Sequence, residues 1–531
     1  MGIPSYYKKL ISSIPNLLSK GHPNADINWL FMDFNCLIYH TLHRHDTPPY
    51  PGVTMKEEWE SKFIQCVIEY CLKIIKQVDP KSGVFIAIDG VVPMAKMRQQ
   101  RLRRFKSIWQ SSNDNSGVEQ WDKNSITPGT LFMKKLKNRM EEMIARHGKK
   151  SWFLSSSDEP GEGEHKIINQ WRTGNYTGNF AVYGLDADLI VLSILGYETC
   201  SLDNNIWLFR EEVVEGKIAY DKDGEEICEW FSINSLRDWI SSDYNTDRNI
   251  QKKFLLNYCC AMSILGNDFL PSSLGLKMRD DGHTELLEIV KNLTSNNIKL
   301  VSPTDLTVTS DIIELFRILA SGEPARIAKY IHKKKMLGRS IEGDLPIGDN
   351  NYPLNNIEED ILLGNNKTLI NNWEELYITH FFNGYTYNKR NIDKICKEYL
   401  FGIQWIWAYY TGQYEKVCFN WYYPHSLPPT WRWLDQYLKN TMLPTFPDTV
   451  LVRAEDIRPV EQLALVLPLE SWYLIPPCRE RKLPQLAPQF YPESFSFDSL
   501  GKRYFWECES LIPIPSIYQI KKIIAGSEEI T

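Results

Sequence analysis

The chain has 531 residues, 43% of them hydrophobic and 24% charged, with a formal net charge of −6. This composition supports a large buried core and excludes a disordered chain, while the charge excludes a protein that is basic all over. No stretch reads as a membrane span, because the most apolar one, Phe180 to Tyr197, holds Asp186 and Asp188 in its middle. The start has no apolar leader, and the eleven cysteines form no C-x-x-C pair. A soluble, intracellular protein with reduced thiols and without structural zinc is expected.

In chain order, the predicted elements begin with apolar runs that end in an acid: Trp29-Leu-Phe-Met-Asp33, then Val84-Phe-Ile-Ala-Ile-Asp89, then Phe180-Ala-Val-Tyr-Gly-Leu-Asp186. Residues apolar at successive positions suit strands buried on both faces, as in a parallel sheet between layers of helices. Helical patterns of crossover length lie between them, at Trp59 to Gln77 and Thr130 to Ala145. The expected fold class is therefore α/β, with a largely parallel central sheet, helices on both faces, and a mostly helical second region packed against it. Ligands of such sheets bind beyond the carboxyl ends of the strands, where Asp33, Asp89 and Asp186 would converge. From Leu345 to Asn372 the composition shifts to Gly, Asn, Asp and Pro, and a Trp- and Tyr-rich stretch follows. Three parts are expected: 1–310 carrying the site, 311–372 a helical segment and polar linker, and 373–531 a second region closing round the site.

Seven acids stand out: Asp33, Asp89, Glu162, Glu164, Asp186, Asp188 and Asp268. Hard divalent cations prefer oxygen ligands, and two ions about 3.5–4 Å apart stabilise both the attacking and the leaving oxygen of a phosphodiester cleavage. The segment Gly161-Glu-Gly-Glu-His precedes an apolar helical run, Gly184-Leu-Asp-Ala-Asp-Leu turns a strand end into a helix, and Leu265-Gly-Asn-Asp-Phe-Leu-Pro271 closes a helix at a sharp turn. Any one of them alone reads as a helix cap. Five acid-bearing segments, three of them directly after buried strands, are harder to explain that way. Asp221-Lys-Asp-Gly224 resembles part of a calcium loop, but its position 12 would be Trp230, so it reads as a hairpin turn.

After Asp89 the chain runs into Ala95-Lys-Met-Arg-Gln-Gln-Arg-Leu-Arg-Arg-Phe. On a helix, Lys96, Gln100, Arg103 and Arg104 share one face, a set of forks and donors suited to a phosphate. A solvated basic helix is the plain alternative, and the neighbouring acid favours the phosphate pocket. Two further basic clusters, Lys134 to Lys150 and Lys333 to Arg339, read as solvated helix faces. A base needs an aromatic platform, for which Tyr39, His40 and Trp421 are candidates.

Together these segments resemble the XRN family of 5′→3′ exoribonucleases, itself related to flap endonucleases and PIN-type nucleases. The likeness runs from Met1-Gly-Ile-Pro through Asp33-Phe-Asn, Ala87-Ile-Asp-Gly, Lys96 to Phe105, Thr127-Pro-Gly-Thr, Pro160-Gly-Glu-Gly-Glu-His, Tyr183-Gly-Leu-Asp-Ala-Asp and Gly266-Asn-Asp-Phe-Leu-Pro, and on to Trp421-Tyr-Tyr-Pro and Phe490-Tyr-Pro. The resemblance implies that the seven acids ligate two Mg²⁺ or Mn²⁺ ions, and that Lys96, Gln100, Arg103 and Arg104 recognise a 5′-monophosphate. It further implies processive hydrolysis of single-stranded RNA to mononucleotides; from the apolar pattern above, no membrane partner is expected. The family holds the first base between a tryptophan, aligned here with Trp421, and a histidine six residues after the first aspartate. Here that position is Tyr39, and His40 follows. The chain looks like a minimal catalytic core, expected in the cytoplasm rather than the nucleus. A flap-type DNA nuclease is the alternative enzyme, since the acids alone do not distinguish the sugars, and a silent RNA-binding scaffold is the non-enzymatic one.

Overall fold

The computed structural model describes residues 3, 5–112, 119–148, 151–200, 202–214, 217–339, 348–445 and 451–526. The expected boundary at Leu345, the Met1-Gly-Ile-Pro start apart from Ile3, and the end of one basic cluster at Lys149 and Lys150 lie outside the described residues.

A seven-stranded sheet forms the centre: β1 (Leu18–Ser19), β2 (Ile27–Asp33), β3 (Gly83–Ala87), β4 (Trp152–Ser155), β5 (Asn179–Tyr183), β6 (Ile206–Glu211) and β7 (Cys228–Ser232). Their spatial order is β1-β7-β6-β5-β2-β3-β4. Strands β6, β5, β2, β3 and β4 are parallel, and β7 is antiparallel to both its neighbours. The α/β reading holds, and the antiparallel edge is an addition that the acid-ended runs did not signal. The alternation of strand side chains explains why those runs are apolar throughout. Leu30, Met32, Ile86, Ala181 and Tyr183 enter one core with helices α2 (Lys56–Val78) and α4 (Leu131–His147). Phe31, Phe85, Ala87, Phe180 and Val182 enter the other, with α5 (Gly163–Thr173) and α6 (Asp188–Thr199). The two predicted crossover helices are α2 and α4.

The chain passes from β2 to β3 to β4 in one direction, then returns to place β5 on the other side of β2. A crevice opens where the order reverses, beyond the carboxyl ends of β2 and β5. Helices α1 (Phe34–Leu42), α3 (Met94–Ser112), α5 and α6 start near that edge, and α7 (Arg248–Met262) ends in a 3₁₀ turn at Leu265.

The second region contributes α8 (Lys389–Tyr410), α9 (Trp431–Asn440), α10 (Pro459–Val466), several 3₁₀ turns, and a small antiparallel pair, β8 (Ser496–Asp498) and β9 (Glu509–Leu511). Its Tyr399, Trp405 and Trp431 belong to the same core as α5 and α6. Buried charges tie the parts together. Arg101 of α3 is 0% exposed and donates to the carbonyls of Leu465, Pro513 and Phe490. Lys334 is also fully buried and donates to Glu359 and to the Ser499 carbonyl, which corrects the reading of its whole cluster as a solvated face. The Lys134 cluster does behave as a surface face, with Lys137 and Arg139 paired to exposed acids. The Asp221 segment is a turn, with Tyr220 bridged antiparallel to Glu226. Among the described residues no helix is long and apolar enough to cross a membrane.

Candidate active site

Each parallel strand delivers its acid by backbone geometry. Asp33 is the last residue of β2, Asp89 lies two residues past β3, and Asp186 lies three past β5. Glu162 is the N-cap of α5 and Glu164 sits in its first turn, while Asp188 opens α6. Asp268 follows the turn at Gly266, whose φ of 94° is the left-handed conformation glycine tolerates best. All except Asp188 line one cavity of about 930 Å³, and Asp188 lies behind it, with carboxylate oxygens of Glu164, Asp186 and Asp188 all within 4.8 Å of one another. Glu162, Glu164 and His165 form a second such group, so Glu164 is shared.

Two glycines make this closeness possible. A Cβ on Gly163 would stand 2.5 Å from Asp33 Oδ1, and one on Gly90 would stand 1.7 Å from the Glu159 carbonyl oxygen. The alternation Glu-Gly-Glu is therefore steric: only a residue without a side chain lets α5 start against the end of β2. The Gly163 N–H donates to Asp89 Oδ1 at 2.7 Å, fixing that carboxylate with a helix N-terminus.

Crowding of like charge shows in the protonation equilibria. Burial, then the charges of Asp89 and Asp186, push the Asp33 carboxyl well above the usual range. Burial and Asp188 do the same to Glu164, and burial and Asp186 raise Asp188 to about 7. Glu164 Oε2 and Asp188 Oδ1 are buried without a hydrogen-bond partner. Oxygen-rich, mutually repelling and under-satisfied, this donor set fits hard divalent cations.

The basic face abuts the acids. Lys96, Gln100, Arg103 and Arg104 all line the same cavity. Lys96 Nζ is 2.6 Å from Glu162 Oε2 and 2.8 Å from Asp268 Oδ2. Burial alone would lower its ammonium, but Asp268 and Glu162 hold it well above the ordinary value. Gln100 Oε1 and Arg104 Nη1 are buried without partners, and burial lowers Arg104 to about 10, which leaves it charged at neutral pH. Arg103 is exposed and has no ion-pair partner among the described residues.

Several contributors escaped the sequence reading. Gln99 donates to Asp268 Oδ1 at 3.0 Å, although it falls beside the predicted helix face. Asn35 accepts from the Asp89 N–H at 3.1 Å, and its place two residues after Asp33 was the available signal. Lys166 donates to the carbonyls of Ile88 and Ser156, holding α5 against the ends of β3 and β4. Tyr409, from α8, donates to Glu162 Oε1 at 2.9 Å, and its ring lies tilted against that of His165 with centroids 3.8 Å apart. Nothing local in sequence marks Tyr409.

Residues 1–212 match the family model described as XRN 5′-3′ exonuclease N-terminus, and residues 350–519 match the one described as Xrn1 helical domain. The chain belongs to the XRN family. Among its XRN relatives, 5′-3′ exoribonuclease 1 of Schizosaccharomyces pombe is 24% identical over 97% of this chain and 47% of its own length. The human 5′-3′ exoribonuclease 1 is 26% identical over 97% of this chain and 33% of its own length. The Saccharomyces cerevisiae 5′-3′ exoribonuclease 2 is 27% identical over 55% of this chain and 35% of its own length. The chain thus spans less than half the length of these relatives.

The three aromatic candidates of this XRN chain separate. Tyr39 is half-buried and lines the cavity. His40 also borders it but is only 7% exposed, stacked on Tyr70 with centroids 5.9 Å apart and with Nε2 3.7 Å from Glu211. Burial keeps that imidazole below its ordinary value, hence neutral. Trp421 is not part of the cavity wall, contrary to expectation; its ring packs 5.4 Å from Trp405 in the second region. The reason is that α8 presents Gly402, whose missing side chain leaves room for the indole.

Proposed function

We propose that the chain is a 5′→3′ exoribonuclease that removes mononucleotides processively from single-stranded RNA bearing a 5′-monophosphate. The observation that carries this reading is the shared wall of one cavity, where Lys96, Gln100, Arg103 and Arg104 stand directly against the carboxylates. A phosphate pocket next to a phosphodiester-cleaving centre places the cut at a chain end. In this reading Arg104 holds the terminal phosphate from inside the pocket through its unpartnered Nη1, Gln100 donates to it from its amide N–H, and Arg103 reaches it from the rim. Asp33, Asp89, Glu162, Glu164, Asp186, Asp188 and Asp268 hold two Mg²⁺ or Mn²⁺ ions. When bound, such ions supply Lewis-acid activation of the attacking water and charge neutralisation at the cleaved phosphate. Lys96 stays protonated at the junction and adds positive charge beside the scissile group. Tyr39, on the cavity wall, takes the stacking role in place of the histidine.

The test is incubation with RNA carrying 5′-monophosphate, 5′-triphosphate, 5′-hydroxyl or cap, with and without Mg²⁺, alongside matched single-stranded DNA. Mononucleotides released only from the monophosphate RNA, and only with Mg²⁺, are expected. Equal loss of 5′-hydroxyl RNA would remove the phosphate pocket from the account. DNA cleaved as well as RNA would favour the flap-type alternative, because the 2′-OH is the discriminating group.

A further inference from the structure

The other side of helix α3 borders a second cavity, of about 490 Å³, within the range of about 300–1,000 Å³ that encloses a small organic ligand. It touches the first, because Arg103 and Asp268 line both. Asp268 is the partition between them: Lys96 donates to it from one side and Gln99 from the other.

The charge of this second chamber is unbalanced. Its carboxylates are engaged: Asp268 with Lys96, Glu507 with Arg279, Glu509 with Arg98, and Asp498 with the Leu500 N–H. Among the described residues, Arg103, Lys106, Lys277 and Lys502 form no close ion pair, and Glu507 and Glu509 act on Lys277, Lys106 and Lys502 only from further off. Lys106 donates only to the carbonyls of Phe505 and Cys508, and Lys277 only to the Ser272 hydroxyl and the Gly501 carbonyl. These cations feel one another. Burial, then the charge of Lys502, lowers Lys277 to about 7, and burial is the main reason that Lys106 falls to about 8. Seven basic side chains, Arg98, Arg103, Lys106, Lys277, Arg279, Lys502 and Arg503, line this chamber against four carboxylates, an excess that calls for an anion. The wall also holds buried polar atoms without a partner, Gln99 Oε1, Tyr330 Oη and Arg503 Nε, beside the half-buried ring of Trp506.

We propose that this second chamber binds a nucleoside 5′-monophosphate, the phosphate on Lys502, Lys277 and Arg103 and the base against Trp506. As a product site it rests on the exoribonuclease reading: a nucleotide cut free at the acids leaves its phosphate at Arg103, which already lines both cavities. Handing it across Arg103 into the chamber clears the first cavity for the next residue of the strand without releasing the strand.

Calorimetric titration of the full chain with adenosine 5′-monophosphate in EDTA tests the site independently of catalysis. Two binding sites are expected. Lys502→Glu should weaken one by at least about tenfold, the scale of a charge-assisted contact, while Arg104→Ala should weaken the other. Adenosine and inorganic phosphate should each bind more weakly than the nucleotide. An unchanged isotherm for Lys502→Glu would overturn the proposal, as would phosphate binding as tightly as the nucleotide, which marks a plain anion site. In steady state with 5′-phosphorylated RNA, Lys502→Glu should relieve inhibition by added monophosphate and leave KM for RNA unchanged. A raised KM with intact nucleotide binding would assign the chamber to the RNA path instead. Failure of RNA hydrolysis together with Lys502-dependent nucleotide binding would remove the exoribonuclease reading and leave the nucleotide site standing.

Discussion

The two regions of the molecule supply the candidate site in different ways. The first, built on the parallel sheet, places its acids by backbone position: a strand ends, a helix begins, and the carboxylate lies at the crevice because the topology reverses there. The second contributes side chains that reach in from outside, Tyr409 to Glu162 and Gln462 to the Val92 N–H, while Arg101 of the first region is closed over by carbonyls of the second. The difference teaches that the candidate acids come from the sheet region, and that the helical region packs against and encloses them.

The largest expected effect tests the first half of that statement. Asp186→Ala should lower kcat by about 10³-fold or more, with the fold intact, since it removes a carboxylate from the proposed cation-binding set. Retained turnover in Mg²⁺ would break the metal assignment.

Next comes Arg104→Ala. Losing a charge-assisted phosphate contact of about 1.5–3 kcal/mol should lower kcat/KM on 5′-monophosphate RNA by roughly 10- to 150-fold and leave 5′-hydroxyl RNA little changed. Equal losses on both substrates would mean that Arg104 only supports the fold.

Tyr409→Phe tests the second region directly. If Glu162 holds a metal ion as proposed, its outer partner is worth about 10- to 100-fold, so kcat should fall within that range with KM for RNA unchanged. A loss as deep as that of Asp186→Ala would erase the distinction between the regions.

The smallest effect is on stability. In the metal-free protein the raised carboxyl of Asp188 disfavours its charged form, so folding gives up free energy as pH rises from about 4 towards 7. Asp188→Asn should therefore raise the melting temperature of the metal-free protein at pH 8 by a few degrees, and Mg²⁺ should raise that of the wild type but not of the variant. A variant that melts lower in EDTA would show that packing, not repulsion, dominates at this position.

What could be foreseen followed local rules. Asp33, Asp89 and Asp186 were legible because a strand buried on both faces is apolar at every position, so an acid at its end is conspicuous. Lys96, Gln100, Arg103 and Arg104 were legible because helical spacing alone puts them on one face. His40 and Trp421 were not, because chain spacing says nothing of which neighbour a ring meets; Tyr70 and Glu211 enclose the imidazole, and Trp405 the indole.

The sequence by itself determined the sheet, the acids at its edge and the basic helix beside them, since periodicity and strand ends are set by neighbours along the chain. Tertiary structure alone decided that Tyr409 reaches Glu162, that Asp268 lines two cavities, and that Lys502 lies near Lys106 and Lys277. Those relations join residues up to several hundred positions apart, and the free energy of a buried charge depends on every group packed round it, not on its place in the chain.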